Sequence, residues 1–330
     1  MEHRRNPHES LPLFDRRSFL WLLSLSVVAC ASRDRTQRYR EGDNTNQNTS
    51  LTPEDERKLT QEVLPQFQKD YPPLNDDYCQ NYLNSIGQKI VQANSLHNNP
   101  YQYSFTVVNS PQVNAFALPA GTVFVTAPLI TMCESEAELA GVIGHEVGHI
   151  KARHTAERMD AAKKAQSQSW KYAIGGGLLG TLAGYGLGQL LCAPNDQKCK
   201  NEALKTGAAM GAVGGLLVQR YGFMQNSQED ELEADRIGFR TSYQAGYHRD
   251  YVGKFYEKLY RMEQEAKAKT GGGLGPLAAL QDALSTHPPS RERIQQIREM
   301  QQQVALNSSA VISTNEFLEV KRRLSARAKG

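Results

Sequence analysis

Residues 145–149 read His-Glu-Val-Gly-His, and this stretch decides how the chain is interpreted. It lies in a segment, 135–164, whose apolar spacing and lack of proline predict a helix. Positions four apart project from the same face of a helix, so both histidines can bind one Zn²⁺. Glu146, between them, can take a proton from the attacking water. The stretch therefore indicates a zinc peptidase, although five residues alone are also compatible with two ordinary histidines on a helix surface.

A catalytic zinc site needs a third protein ligand, and a nearby histidine is the first place to look for it. His154 follows His149 by five residues, with no glycine between them. On a continuous helix it lies about 180° from His145. We therefore predict that His154 is a solvent-facing helix residue and not a ligand.

The second place is the acidic run 229–235, Glu-Asp-Glu-Leu-Glu-Ala-Asp, in a predicted helix over 228–245. Glu231 and Asp235 share a helix face, whereas Glu233 points about 200° away from Glu231. Glu231 can thus ligate the metal, while Asp235 accepts the outer N–H of a ligand histidine and fixes its tautomer. The alternative is a solvated acidic helix face, which is the usual role of such runs.

Four motifs in a fixed order resemble peptidase family M48, especially its bacterial periplasmic lipoprotein members. They are Asn-Ala-Phe-Ala-Leu-Pro at 114–119, the His-Glu-x-x-His stretch, Glu-x-Glu-Ala-Asp at 231–235 and Ser-Thr-His-Pro-Pro at 285–289. All of them fall within about residues 52–306. The resemblance implies an α+β, predominantly helical fold, a zincin of the gluzincin type with a small β-sheet.

The resemblance also implies roles for individual residues. It implies one Zn²⁺ per chain held by His145, His149 and Glu231, with Glu146 as the catalytic base and Asp235 behind a ligand histidine. It suggests that His287 lies near the metal, as a fourth ligand or a regulatory plug. A His-Pro-Pro turn that opens the next helix is, however, a sufficient structural reason for the same residues.

Alternating apolar patterns predict three short strands between residues 103 and 126, ahead of the zinc helix. By the resemblance, Asn114, Ala115 and Phe116 form the upper edge of the active-site cleft. An exposed edge there could bind an extended substrate through main-chain hydrogen bonds. A plain core hairpin is the alternative, and both can hold.

The N-terminus predicts a lipoprotein signal peptide over residues 1–29. Arg16 and Arg17 precede a short apolar run, and Val-Val-Ala-Cys, which ends at Cys30, resembles a bacterial lipobox. Lipidation of Cys30 and a polar, flexible tether over 30–51 predict attachment to a membrane on its periplasmic side. Ala31, which follows Cys30, favours the outer membrane by analogy with bacterial sorting rules. The paired arginines leave both Sec and twin-arginine export open.

Once Cys30 is assigned to the lipid, an even number of cysteines remains for an oxidising compartment. Cys192 and Cys199 flank a turn-like hexapeptide, which predicts a local bridge. Cys79 with Cys133 is then the default second pair, although the sequence alone cannot choose among the three possible pairings.

The length of the chain predicts one sizeable peptidase domain, 52–306, followed by a C-terminal tail, 307–330. Within the domain, 173–218 is rich in glycine and predicts a hairpin of two close-packed helices. The alternatives for this hairpin are a segment that dips into a bilayer, a mobile lid, and a docking surface against a membrane protein. The net charge of +3 at pH 7 gives no reason to invoke nucleic acid.

Together with the resemblance, these features predict a zinc-dependent endopeptidase of the bacterial cell envelope. Its substrates would be misfolded or unassembled envelope proteins, and the outer-membrane assembly machinery is a candidate partner. The alternative is a lipid-anchored chaperone or assembly factor for outer-membrane proteins, with a largely silent zinc site. A membrane-embedded prenyl-protein peptidase is disfavoured because the chain lacks several long apolar spans.

Overall fold

The computed structural model describes residues 49–98, 100–161, 224–270 and 275–328. Most of this part of the chain is helical. The helices are α1 (Pro53–Asp70), α2 (Asp77–Ala93), α3 (Ala127–Met132), α4 (Glu136–Lys151), α5 (Gln228–Gln244), α6 (Arg249–Val252), α7 (Lys254–Thr270), α8 (Gln281–Thr286), α9 (Arg291–Gln303) and α10 (Asn315–Arg327). A further helical stretch covers 154–161.

Side-chain caps explain where the helices begin. Thr52 caps α1, forms a reciprocal capping box with Asp55 and is followed by a proline in the first turn. Ser135 caps α4 by accepting a hydrogen bond from the backbone N–H of Glu138. The starts of these helices therefore follow from the local sequence.

Three strands form a small mixed sheet, which confirms the strands predicted between residues 103 and 126. β1 (Ser104–Val108) runs parallel to β3 (Thr122–Thr126), and β2 (Ala115–Ala117) runs antiparallel to β3. The strand order is β1-β3-β2. The last strand in sequence thus lies in the middle, and β2 lies at an edge.

The sheet divides the hydrophobic core into two clusters. On one face Phe116 of β2 stacks on Phe124 of β3 with ring centroids 5.1 Å apart, and Phe67 of α1 packs on the first ring at 5.7 Å. Val123 and Val125 point to the other face and join the larger cluster with α2 and α4. This alternation places a buried layer on both sides of β3.

Helix α4 lies at the centre of the molecule. Every residue from Glu136 to Ile150 is buried, and the helix packs against α2, α5, α6, α7 and β2. Polar side chains are costly in such a position unless they are paired or bind a metal. The histidines and glutamate of the His-Glu-x-x-His stretch therefore require partners from the surrounding elements.

Helix α4 ends before residue 153, so the prediction of one continuous helix over 135–164 is wrong. Helix α4 ends at Lys151, Arg153 has a φ of 59°, and helical structure resumes at residue 154. The Arg153 guanidinium pairs with the buried carboxylate of Glu56, which holds this left-handed turn in place. The turn carries His154 into the interior, where it is fully buried, so its predicted solvent-facing position is wrong as well.

The residues beyond 306, predicted as a tail, pack onto the same core as the rest of the fold. Helix α10 buries Phe317, Val320 and Leu324, whose spacing of three and four residues defines one apolar face. Val311 bridges to Tyr247 as an isolated strand pair. The segment after residue 306 is therefore packed into the same fold as the residues before it.

The predicted bridge between Cys79 and Cys133 is wrong, because both are buried free thiols. Cys79 lies in the first turn of α2, where its backbone N–H donates to Asp76, whereas Cys133 ends α3. Burial raises the pKa of the Cys79 thiol to about 11 and raises that of Cys133 as well. Both thiols are therefore inert, apolar core groups.

Several predictions fall outside the described residues: the signal peptide over 1–29, lipidation of Cys30, most of the tether, the hairpin over 173–218 and the Cys192–Cys199 bridge. Among the helices that the structure describes, none combines the length and the apolar character needed to cross a membrane.

Candidate metal centre

Helices α4 and α5 approach closely because glycines lie at their crossing. A Cβ on Gly238 of α5 would lie 2.6 Å from the backbone nitrogen of His145, and one on Gly148 of α4 would lie 2.8 Å from the carbonyl oxygen of Ala234. Larger residues at these positions would force the two helices apart. The close crossing is what brings Glu231 of α5 to the histidines of α4.

Four buried side chains converge on one point between α4, α5 and the turn after α8. They are His145, His149, Glu231 and His287, and one ligand atom from each lies within 4.8 Å of the others. The Nε2 atoms of His145 and His149 are 3.0 Å apart, and each lies 3.2–3.3 Å from a carboxylate oxygen of Glu231. Nδ1 of His287 is 3.0 Å from Glu231 and 3.3 Å from Nε2 of His145.

These separations fit a bound metal ion. Ligands at the usual zinc–nitrogen and zinc–oxygen distances of about 2.0–2.1 Å, arranged as a tetrahedron, lie about 3.3 Å from one another. Three imidazole nitrogens and one carboxylate are a donor set that suits zinc. In addition, Oε2 of Glu146 is buried and lacks a hydrogen-bond partner among the described residues, so an acceptor for water is available beside the cluster.

A buried arginine neutralises the carboxylates of α5. Arg293 of α9 donates from Nε and Nη2 to Asp235 at 2.6 and 2.7 Å, and its Nη1 lies 2.5 Å from Glu231. Asp235 in turn places Oδ1 2.8 Å from Nδ1 of His145, the ring nitrogen that faces away from the cluster. A carboxylate in this place fixes the orientation of a ligand histidine and the position of its ring proton.

The surrounding charges set the protonation states of the cluster. Burial lowers the pKa of His145, but Glu231 and Asp235 outweigh burial and raise that pKa to about 9. At His149 burial dominates and holds the pKa well below its usual value. Burial alone would raise the pKa of Glu231, but Arg293 and the neighbouring histidines reverse the effect and hold it well below its usual value. Glu231 is therefore an anion in the interior, ready to bind a cation.

Glu146 lies beside the cluster. Its Oε1 is 3.5 Å from Nε2 of His287, and the carboxyl group is buried. Burial raises the pKa of Glu146 above its usual value. A carboxylate with a raised pKa is a better proton acceptor, which is what general base chemistry near neutral pH needs.

The outer edge of β2 is already covered. Nε2 of His287 lies 3.2 Å from the carbonyl oxygen of Ala115, and the backbone N–H of Val113 donates to the carbonyl of Ala279. Phe116 is buried in the smaller core cluster, while Nδ2 of Asn114 is buried without a hydrogen-bond partner among the described residues. An extended peptide could pair with this edge only after the segment around residues 279–287 has moved.

Three residues of the site were not predicted from the sequence. His154 places Nδ1 2.9 Å from Nδ1 of His149, and Arg293 forms the ion pairs described above. Asn226, just ahead of α5, donates to the carbonyl of Thr286 at 2.8 Å and lies 3.3–3.4 Å from ring nitrogens of His149 and His287. No spacing rule indicates these contacts, because each of them joins separate elements in the folded chain.

Comparison with known proteins identifies one peptidase family and several related proteases. The profile of peptidase family M48 matches residues 78–301. The Beta-barrel assembly-enhancing protease of Escherichia coli (strain K12) is 26% identical over 281 residues, which cover 84% of this chain and 50% of that protein. The mitochondrial metalloendopeptidase OMA1 of Arabidopsis thaliana is 35% identical over 187 residues, 57% of this chain and 29% of the relative. Its Saccharomyces cerevisiae counterpart is 28% identical over 249 residues, 72% of this chain and 58% of the relative.

The chain thus spans about half the length of the assembly-enhancing proteases that it matches. The M48 profile, in contrast, covers most of the chain and takes in the whole cluster of three histidines and one glutamate. The chain belongs to peptidase family M48.

Proposed function

We propose that the chain is a zinc-dependent endopeptidase of the bacterial cell envelope. The observation that carries the proposal is the buried cluster of His145, His149 and Glu231 with a carboxylate, Glu146, beside it. Two imidazoles and a carboxylate on facing helices are the protein ligands of many zinc hydrolases, and the adjacent glutamate supplies the base.

The residues divide the work of amide hydrolysis. Bound zinc supplies Lewis-acid polarisation of the scissile carbonyl and lowers the pKa of water at the site. Glu146 accepts a proton from the attacking water and delivers it to the leaving amine. Asp235 holds His145 in one tautomer, and Arg293 holds Asp235 and Glu231 in their ionised forms.

His287 gives the described structure a closed site. With this histidine the cluster has four protein side chains, the number typical of structural zinc sites, whereas catalytic sites keep a position open. We infer that His287 acts as a plug, which must leave both the cluster and the edge of β2 before substrate can bind.

The proposed substrates are misfolded or unassembled envelope proteins. The name of the Escherichia coli relative, Beta-barrel assembly-enhancing protease, supports a role near outer-membrane assembly. A signal peptide and a lipid on Cys30 would attach the enzyme to the periplasmic side of that membrane. The outer-membrane assembly machinery is accordingly the proposed partner.

Metal content and proteolysis, measured together, test this function. The purified chain is compared with Glu146→Gln for zinc per chain and for cleavage of casein or an unfolded outer-membrane protein. We expect about one zinc in both and cleavage by the wild type alone, with a rate loss of at least about 10²-fold in the variant. Cleavage by Glu146→Gln would overturn the assigned base, and a wild type without zinc would overturn the metallopeptidase.

The closed geometry also supports a second function, a lipid-anchored chaperone or assembly factor with a largely silent zinc site. If zinc is bound but neither protein cleaves, His287→Ala separates the two functions. Cleavage by His287→Ala would establish a plugged peptidase. Rescue of outer-membrane assembly by the Glu146→Gln chain in cells, without cleavage, would establish the assembly factor.

A further inference from the structure

His154 connects a ligand histidine to a buried carboxylate. Its Nδ1 lies 2.9 Å from Nδ1 of His149, and its Nε2 lies 3.3 Å from Oε2 of Glu233. All three side chains are buried, and His154 is completely inaccessible. The contact depends on the left-handed turn at Arg153, which ends α4 and turns the next residue back toward the metal site.

The distance between the two Nδ1 atoms allows two arrangements of the ring protons. Two ring nitrogens at 2.9 Å share one proton, so one of them donates and the other accepts. If His149 donates, its Nε2 carries a lone pair and can bind a metal. If His154 donates instead, neutral His149 carries its proton on Nε2 and cannot bind.

The acidic groups around His154 select the first arrangement. When His149 donates, neutral His154 carries its proton on Nε2 and donates it to Glu233. In the second arrangement a neutral His154 would present a bare Nε2 to Glu233 at 3.3 Å and to Asp230 at 3.8 Å, lone pair against carboxylate. Arg158 donates to Asp230 at 3.1 Å, and its positive charge compensates part of the negative charge of Asp230 and Glu233.

We propose that His154 is a positioning residue that holds His149 in the metal-binding tautomer, with Glu233 as its anchor. This inference rests on the proposed function, since it assumes that the cluster binds zinc. The two ligand histidines are then held in different ways. Asp235 contacts His145 directly, whereas Glu233 reaches His149 through a second imidazole.

Zinc affinity is the readout, because it does not depend on turnover. The dissociation constant is measured on the metal-free full chain by competition with a chromophoric chelator, with zinc alone as the probe. His154→Phe keeps an aromatic ring but removes the acceptor, whereas His154→Asn removes the ring but places an amide oxygen near the position of Nδ1. Thermal unfolding of each metal-free chain records any effect on packing.

If His154 is a positioning residue, the variant that binds zinc more tightly should be the one whose packing is more disturbed. We expect His154→Phe to weaken zinc binding by about 10–100-fold, and His154→Asn to bind within a few-fold of the wild type although it unfolds at a lower temperature. A residue that only fills space would give the reverse, with affinity retained by Phe and lost by Asn, and this result would overturn the proposal.

Glu233→Gln keeps the test decisive if His154→Phe does not fold. The amide oxygen still accepts from His154, but the negative charge that selects the tautomer is gone, so we expect zinc binding several-fold weaker than in the wild type. Unchanged affinity in Glu233→Gln would overturn the proposal. A wild type that binds no zinc would instead overturn the proposed function, so the two failures are distinguishable.

Discussion

At the scale of single residues, one buried arginine compensates the charge of two buried carboxylates in the site. Glu231 and Asp235 are both deeply buried, and Arg293, itself buried, contacts both of them. The guanidinium also lies 4.7 Å from the centre of the Tyr256 ring, which completes its surroundings. Arg293 therefore allows α5 to keep two anions in the interior whether or not a metal is bound.

Replacing Arg293 by methionine should strongly destabilise the metal-free chain. Two buried carboxylates would lose their guanidinium partner, and removal of one member of a buried ion pair costs about 3–5 kcal/mol. The free energy of unfolding in urea measures this loss. Arg298→Met is the matched control on the same helix, because Arg298 pairs with Glu257 in an exposed position and should change stability by less than about 1 kcal/mol. Equal losses in both variants would contradict the assigned role.

Metal binding should release a proton from His145. In the metal-free chain its pKa is about 9, so the ring is protonated at neutral pH, whereas a metal ion binds the neutral ring. Zinc affinity should therefore rise with pH and level off near pH 9. The stability of the metal-free chain has the opposite sign: the contribution of protonated His145 is complete below about pH 6.5 and is lost as the pH rises through about 9.

Calorimetry of zinc binding near pH 7.5, in buffers with different ionisation enthalpies, measures this proton release. We expect about one proton from His145. Asp235→Asn removes one of the charges that raise the pKa of His145, so this variant should release less than one proton per zinc bound. Release that is the same in both chains would show that the proton comes from another group.

The residue scale also shows what the sequence could and could not predict. His145, His149 and Glu231 follow from spacing on two regular helices, and the structure brings all three together. His154 was misplaced because the prediction extended α4 through residue 153. The left-handed conformation there is held by a contact with Glu56, which is 97 residues away in sequence, and no local pattern carries that information.

At the scale of elements, glycine sets the distance between α4 and α5. Gly144 and Gly238 face one another across the crossing: a Cβ on the first would lie 2.7 Å from the carbonyl oxygen of the second. Since His145 and Glu231 lie on opposite helices, any widening of this crossing separates these two proposed metal ligands. Packing in the core and geometry at the metal centre therefore depend on the same contact.

Gly238→Ala should lower both stability and zinc affinity. The added methyl group meets the backbone of α4, and such overpacking costs about 1–3 kcal/mol while it displaces Glu231 from His145. Gly87→Ala is the matched control, because its methyl group would lie 2.3 Å from the Phe105 ring and would meet no residue of the metal cluster. We expect Gly87→Ala to lower stability and keep the zinc dissociation constant. If Gly238→Ala kept the zinc affinity of the wild type, the geometry of the metal site would not depend on the glycine crossing.

The elements themselves were largely predictable, because their signals are local. The cap at Thr52, the first-turn proline of α1 and the β-branched and aromatic residues of β3 are all signals carried by neighbouring residues. The strand order β1-β3-β2 was not predictable from the sequence. The parallel pairing of β1 with β3 forms only when the chain that follows β1 folds back beside it, and no local pattern specifies that contact. The covered edge of β2 was missed for the same reason, as its cover comes from residues 279–287.

At the scale of the whole molecule, the C-terminal segment completes the core around α2 and α4. Arg323 and Arg327 of α10 both contact Asp76, which caps α2. Burial and these charges act in opposite directions on Asp76, and its pKa lies below the usual value because the backbone N–H of Cys79 and the arginines prevail. The helix predicted as a tail therefore links the last part of the fold to one of its first elements.

Truncation after residue 306 should consequently prevent stable folding of the peptidase. The deletion removes the buried side chains of Phe317, Val320 and Leu324, each of which contributes about 1.5–3 kcal/mol. Their sum is comparable with the whole stability of a typical domain, about 5–15 kcal/mol. Urea unfolding and limited proteolysis of the truncated chain measure the effect. A truncated chain that unfolds cooperatively, binds zinc and cleaves casein as the full chain does would show that α10 is dispensable.

A pair of point substitutions separates loss of this apolar face from loss of chain length. Val320→Ser changes a fully buried position of α10, whereas Leu318→Ser changes a neighbour that is 57% exposed. We expect the first to lower the free energy of unfolding by more than about 1.5 kcal/mol and the second to leave it nearly unchanged. Because both chains keep all 330 residues, a difference between them can only come from the face that α10 presents to the core. Equal stability would mean that this face does not hold the two ends of the fold together.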